Sequence, residues 1–171
     1  MNSGVNGRRV FGVTGWKNAG KTTLVERLVA EFVRRGWRIA TIKHAHHDVD
    51  VDQRGTDSWR HRAAGAAEVA LVGGLRYAIM REEPEPTLQD VLGRLSPCDL
   101  VIIEGYKRES HLKIEVRADH TKPMASADPN IVAIAADTAP PEAGLPWFRR
   151  DDIAAIADFI AGRVSDQQAP Q

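Results

Sequence analysis

The sequence predicts an α/β fold with a mostly parallel central sheet, flanking helices and an added antiparallel strand region. Three observations carry that expectation. Short apolar runs alternate with amphipathic stretches, as layered β and α elements require. The strand candidates at 100–103 and 131–136 are aliphatic throughout, the pattern of strands covered on both faces. A glycine-rich turn, Gly15 to Gly20, lies between the first apolar run and the first segment of helical periodicity.

Residues 8–14 (RRVFGVT) read as a strand running into Gly15. In the helix that follows, Leu24, Val25, Leu28, Val29, Phe32 and Val33 share one face, Glu26, Arg27, Glu31, Arg34 and Arg35 the other, and Gly36 supplies the stop. Residues 38–43 (RIATIK) form a second strand. The chain then turns polar, with His44, His46, His47, Asp48, Asp50 and Asp52 inside nine residues. Residues 58–67 suit a helix, 68–72 and 75–80 suit strands around Gly73-Gly74, and 87–95 suit a helix after the breakers Pro84 and Pro86. The aliphatic 100–103, the alternating 112–116 and the apolar 131–136 supply three more strands. Asp151 and Asp152 open a last helix whose Ile153, Ile156 and Ile160 face inward. Residues 1–7 and 165–171 carry no core material and are expected to be flexible ends, leaving 8–164 as a single domain on one core.

Composition narrows the function classes. Of 171 residues, 43% are hydrophobic and 27% charged, which supports a packed interior and excludes wholesale disorder. Lys plus Arg total 23 and Asp plus Glu total 23, so no global basic field advertises nucleic acid or an anionic membrane, and neither is expected as a partner. No apolar stretch approaches the roughly 18 residues of a spanning helix. Arg8-Arg9-Val10-Phe11 resembles the start of a twin-arginine signal, but Thr14, Lys17, Asn18 and Lys21 break up the apolar region such a signal needs. The lone cysteine, Cys98, rules out an internal disulfide and suits a reducing cytoplasm, where we expect the protein. Its place before an apolar run favours a small buried packing residue over a reactive thiol.

Gly15-Trp16-Lys17-Asn18-Ala19-Gly20-Lys21-Thr22 matches G-x-x-x-x-G-K-[ST] at every fixed position, a chance event of about one in two hundred for a chain of this length. A strand before and a helix after are the context in which loop and helix N–H groups converge on phosphate oxygens. The fold class therefore sharpens to the P-loop NTPase fold. Lys21 would lie against the β and γ phosphates as the catalytic point charge, Thr22 would ligate magnesium, and Thr23 would add a phosphate contact. Trp16, Lys17, Asn18 and Ala19 complete the nucleotide-binding loop. A second magnesium ligand is sought at the carboxyl end of a buried strand, which favours Glu104 over Asp99 in Asp99-Leu100-Val101-Ile102-Ile103-Glu104. The alternative is an ordinary strand with a solvated acid at its tip.

The polar run after the second strand admits three readings. It is a switch or substrate loop, in which Asp48 approaches the magnesium ion and a histidine the γ phosphate, or a zinc or nickel site, or a plain polar loop. Arg60, Arg62 and Lys107 are candidates to hold a second phosphate-bearing ligand, against the plainer reading of solvated or helix-face cations. Trp16 and Trp59 are stacking platforms or packing residues.

Several blocks together resemble the molybdopterin-guanine dinucleotide biosynthesis adaptor (MobB) family. They are GWKNAGKTTL at 15–24, IKHAHHDVDVDQRGTDSWRHRAAGA at 42–66 and DLVIIEGYK at 99–107, followed by IVAIAAD and DDIAAIADFI. The resemblance spans nearly all of 8–162, and the middle block discriminates best. It implies a homodimeric GTP-binding protein, with Mg2+ and at most slow hydrolysis, that assists a guanylyltransferase as it joins GMP to molybdopterin. It also implies a molybdopterin-type ligand, for which His44, His46, His47, Arg60, Arg62 and Lys107 are candidate contacts. The usual guanine-reading N-K-x-D is absent. Asp137, after the strand 131–136, either accepts from guanine N1–H and N2–H or is a loop acid. Two rivals remain: a nickel-insertion GTPase, and a small-molecule kinase with Asp48 or Asp50 as base.

Overall fold

The computed structural model describes residues 7–45, 50–141 and 144–166. Two compact units divide this chain: the first comprises 1–44 and 91–171, the second 45–90. The main apolar cluster lies wholly in the first unit.

The first unit is built on six strands: β1 (Val10–Thr14), β2 (Ile39–Lys43), β5 (Leu100–Glu104), β6 (Lys113–Arg117), β7 (Ile131–Ala136) and β8 (Trp147–Arg149). Their order is β2-β5-β1-β6-β7-β8, and every pairing is parallel. β1 pairs with β5 and β6 rather than with β2, so a stretch some 90 residues downstream completes the centre of the sheet. Helix α1 (Lys21–Arg34) buries Leu24, Val25, Leu28 and Phe32, as its periodicity requires. Helix α4 (Ile153–Asp166) adds Ile156, Ala157, Ile160 and Val164 to the same cluster, against Phe11, Val13, Ile102, Ile114 and Val116 of the sheet. Leu28 is fully buried, and truncating it to alanine should cost about 2–5 kcal/mol.

β6 departs from the sequence pattern. Residues 112–116 read as an alternating strand, yet all five residues of β6 are buried, including Lys113, Glu115 and Arg117. Such burial requires partners. Lys113 Nζ donates to Glu109 O at 2.5 Å and to Asp128 Oδ2 at 2.9 Å. Glu115 accepts from Arg117 Nε at 3.0 Å and Nη2 at 2.8 Å, and from the backbone N–H groups of Met124 at 3.1 Å and Ala125 at 2.9 Å. The buried carboxylate thereby fixes the loop after β6.

The second unit contains α2 (Asp57–Ala63), β3 (Glu68–Val72), β4 (Tyr77–Arg81) and the first residues of α3 (Leu88–Arg94). Thr56 caps α2, its Oγ1 accepting from Trp59 N. β3 and β4 form an antiparallel hairpin whose Leu71, Val72, Leu75, Tyr77 and Ile79 are exposed.

Several boundaries move. α2 stops at Ala63 rather than at 67 because the chain turns through Gly65, at φ +102°. β4 starts at Tyr77 rather than at 75, since Gly73 N bonding Arg76 O leaves Leu75 in the turn. α4 continues through residues 165 and 166, and β8 was not anticipated. Cys98 is half-buried rather than buried, with Arg8 Nη1 3.8 Å from its sulfur. The expected flexible ends otherwise lie outside the described residues, apart from Gly7. Among the described residues, no helix is long and apolar enough to cross a membrane.

Candidate functional site

Because the six strands are parallel, the residues that follow β1, β2, β5, β7 and β8 emerge on one edge of the sheet, where ligands of open α/β sheets bind. The loop after β1 is shaped by backbone that few residues tolerate. Gly15 has φ +150°, and a Cβ there would run into the carbonyl oxygen of Val116. Gly20, at φ +99°, caps α1 without a side-chain hydrogen bond. The first-turn amides of such a helix start are the groups an anion takes.

Lys21 Nζ donates to Trp16 O at 2.7 Å, folding the ammonium over the loop. Burial lowers its pKa; Lys107 and Lys43 push the same way and Glu104 opposes them. A phosphate arriving at this crowd of cations would be strongly favoured. Parallel pairing of β2 with β5 sets Lys43 beside Glu104. Glu104 Oε1 accepts from Thr22 Oγ1 at 2.9 Å and lies 3.6 Å from Lys43 Nζ. A threonine hydroxyl and a carboxylate are the hard oxygen donors that magnesium takes beside phosphates, so this pair fits the ion. Asp99 lies at the opposite end of β5, where its Oδ2 accepts from Arg38 N at 2.7 Å.

Trp16 is 44% exposed, its Nε1 donating to Lys122 O at 2.8 Å and its ring facing Lys107 Nζ at 4.9 Å. Half-buried His44 stacks on Tyr106 with ring centroids 4.4 Å apart. The turn that allows this is tight: Gly105 has φ +99°, a Cβ on it would come within 3.1 Å of His44, and Tyr106 itself adopts φ +46°. Asp137 follows β7, and Arg150 Nε donates to its Oδ1 at 2.8 Å while Nη2 bonds Oδ2. That guanidinium holds the Asp137 carboxyl below the usual range. Arg150 Nη1 also donates to Ala19 O at 3.0 Å, in the glycine-rich loop.

Gly15 to Thr23, His44, Glu104, Lys107 and Asp137 thus belong to one unit and one edge of its sheet. Arg60 and Arg62 belong to the other unit, and both meet carboxylates there. Arg60 Nη1 lies 3.9 Å from Asp57. Arg62, its side chain 16% exposed, lies 2.8 Å from Asp50, 2.9 Å from Glu82 and 3.6 Å from Asp52. Arg62, on α2, braces its own unit through these carboxylates. Trp59 lies under Arg54, 5.7 Å from ring centroid to guanidinium carbon. His46, His47 and Asp48 lie outside the described residues. Among the described residues, no group of three or more His, Cys, Asp or Glu is placed to hold a metal ion.

Two residues escaped the sequence reading. Lys43 was legible in principle as the last residue of a strand entering the same edge as Glu104. Arg150 had no local signal, since its partners are 13 and 131 residues away.

A parallel sheet whose first strand runs through a glycine-rich loop into a helix, with a threonine and a strand-end acid meeting beside it, defines a protein of the P-loop NTPase fold class. Within that class, residues 10–137 match the family model described as Molybdopterin guanine dinucleotide synthesis protein B, and the chain belongs to this MobB family. It is 40% identical over 155 residues to the molybdopterin-guanine dinucleotide biosynthesis adapter protein of Haemophilus influenzae, covering 88% of this chain and 86% of that one. Its identity to the adapter protein of Escherichia coli is 37% over 153 residues, covering 85% and 87%. Among solved structures, the MobB homolog from Bacillus stearothermophilus superposes with a TM-score of 0.67 at 30% identity, covering 92% of this chain and 98% of that one. Bacillus subtilis MobB superposes with a TM-score of 0.74 at 25% identity, covering 95% and 99%. The family resemblance read from the sequence blocks is borne out.

Proposed function

We propose that this protein is a GTP- and magnesium-binding adapter that assists the guanylyltransferase joining GMP to molybdopterin. The observation that carries the nucleotide reading is the 2.9 Å contact between Thr22 and Glu104 beside the loop that presents Lys21. The adapter role is supported by the curated relatives' names. Making the dinucleotide requires attack at the α phosphorus, whereas Lys21 in such a loop serves the far end of the triphosphate. The chain is accordingly an assistant to the transferase, and any hydrolysis of its own is slow. Lys107, with Trp16 beside it, is the candidate for the pterin's phosphate; Arg62 is committed to three carboxylates. We further read the protein as a cytoplasmic homodimer, whose subunits meet through the exposed apolar residues of the β3–β4 hairpin.

Calorimetric titration tests the first part. Lys21→Ala should weaken Mg-GTP binding at least tenfold, about 1.4 kcal/mol or more, while melting at the parent temperature. Unchanged affinity in the folded variant would overturn the phosphate-loop assignment. Product formation by the transferase at limiting GTP, with and without this protein, tests the second part. Absence of stimulation across protein concentrations removes the adapter role and leaves nucleotide binding standing.

A further inference from the structure

We propose that Arg150 masks the base-reading edge of Asp137 and so sets the guanine preference of the nucleotide site. The inference rests on Asp137 being the guanine acceptor. Parallel pairing of β7 with β8 matches Ala136 to Arg149, which brings the next residues of both strands, Asp137 and Arg150, side by side. Arg150 applies two parallel hydrogen bonds to the carboxylate, Nε to Oδ1 at 2.8 Å and Nη2 to Oδ2. Its third nitrogen, Nη1, donates to Ala19 O at 3.0 Å and would lie 3.3 Å from a Cβ on Gly20. One guanidinium thus spans from the phosphate loop to the acid.

The fork matters because guanine offers the same one. Its N1–H and N2–H present two donors to a carboxylate much as Nε–H and Nη2–H do, and one pair of carboxylate oxygens faces one such fork at a time. Reading guanine therefore requires Arg150 to leave Asp137. Adenine has an acceptor at N1 and gains nothing from the vacated acid. The mask thus opposes GTP specifically and leaves ATP untouched. Its strength is modest, because the Arg150 and Asp137 side chains are 32% and 51% exposed.

Calorimetry of Mg-GTP and Mg-ATP against the parent protein, Arg150→Ala and Asp137→Asn decides the matter. Removing Arg150 should raise the ratio of GTP to ATP affinity about threefold to fivefold. Loss of the Ala19 contact alone would weaken both nucleotides equally, so the ratio is the readout. An unchanged or lowered ratio in Arg150→Ala overturns the mask. Asp137→Asn tests the premise, since replacing an acceptor oxygen by an amide should lower the ratio at least tenfold. If it does not, Asp137 is no base reader and the mask falls with it. A lowered ratio there, with no rise in Arg150→Ala, overturns the mask alone.

Discussion

Replacing His111 by leucine should remove one source of this protein's acid sensitivity between pH 7 and pH 4. The imidazole is 3% exposed, neither ring nitrogen has a hydrogen-bond partner among the described residues, and a Cβ on Gly12 would meet Nε2 at 2.5 Å. Burial and then the neighbouring Lys113 ammonium lower its pKa from 6.5 to about 4, with Asp128 opposing. The folded state thus keeps the ring neutral where the unfolded chain protonates it. Stability from this group is full above the unfolded value and falls as pH drops from 6.5 towards 4, because the unfolded state then binds more protons. With these two values, linkage gives a loss of about 2 kcal/mol by pH 5 and about 3 kcal/mol at the plateau below pH 4. Asp128 does not share this window: burial pushes its carboxyl up, but Lys113 and Asn130 hold it below 3.8. Urea unfolding at several values between pH 7 and pH 4 provides the assay. The stability of His111→Leu relative to the parent should rise by about 2 kcal/mol between pH 7 and pH 5. A gap that stays constant with pH would refute the reasoning.

Gly15→Ala should destabilise the domain by roughly 2 kcal/mol and weaken nucleotide binding, because the new methyl meets the Val116 carbonyl in a backbone region costly to other residues. Parent-like melting and affinity would show that the loop yields there. Glu104→Gln keeps the acceptor for Thr22 and removes the charge, so the magnesium dependence of GTP affinity should fall more than magnesium-free affinity does. Coincident magnesium titrations of variant and parent would move the ion away from Glu104.

The layered fold was legible because its strongest signals are local. The aliphatic run of β5, the helical spacing from Leu24 to Phe32 and the glycine spacing from Gly15 to Gly20 each reflect a constraint acting within about a dozen residues. β6 concealed its burial because Lys113, Glu115 and Arg117 look solvated until Asp128, Met124 and Ala125 are brought to them. β8 has three residues, too few for any period. The bracing role of Arg62 was hidden because its carboxylates, Asp50, Asp52 and Glu82, are dispersed along the chain. The loop, Lys21, Thr22 and Glu104 could be read from spacing and strand ends. The Arg150 contacts with Asp137 and Ala19 depend on the register of β7 with β8 and on a fold closing over 131 residues.

The strand order also bears on how the chain is made. β1 and β2 are not neighbours; β5 separates them, and among the described residues no strand before residue 100 pairs with either. At 5–20 residues per second, the roughly 60 residues from the end of β2 to the end of β5 take about 3–12 s to translate. Through that interval Val10–Thr14 and Ile39–Lys43 are apolar edges without a mate, while the local β3–β4 hairpin has all of its own partners. A pause in translation before Leu100 would prolong the period in which the nascent chain carries these two strands unpaired, and would leave the phosphate loop without the sheet that shapes it.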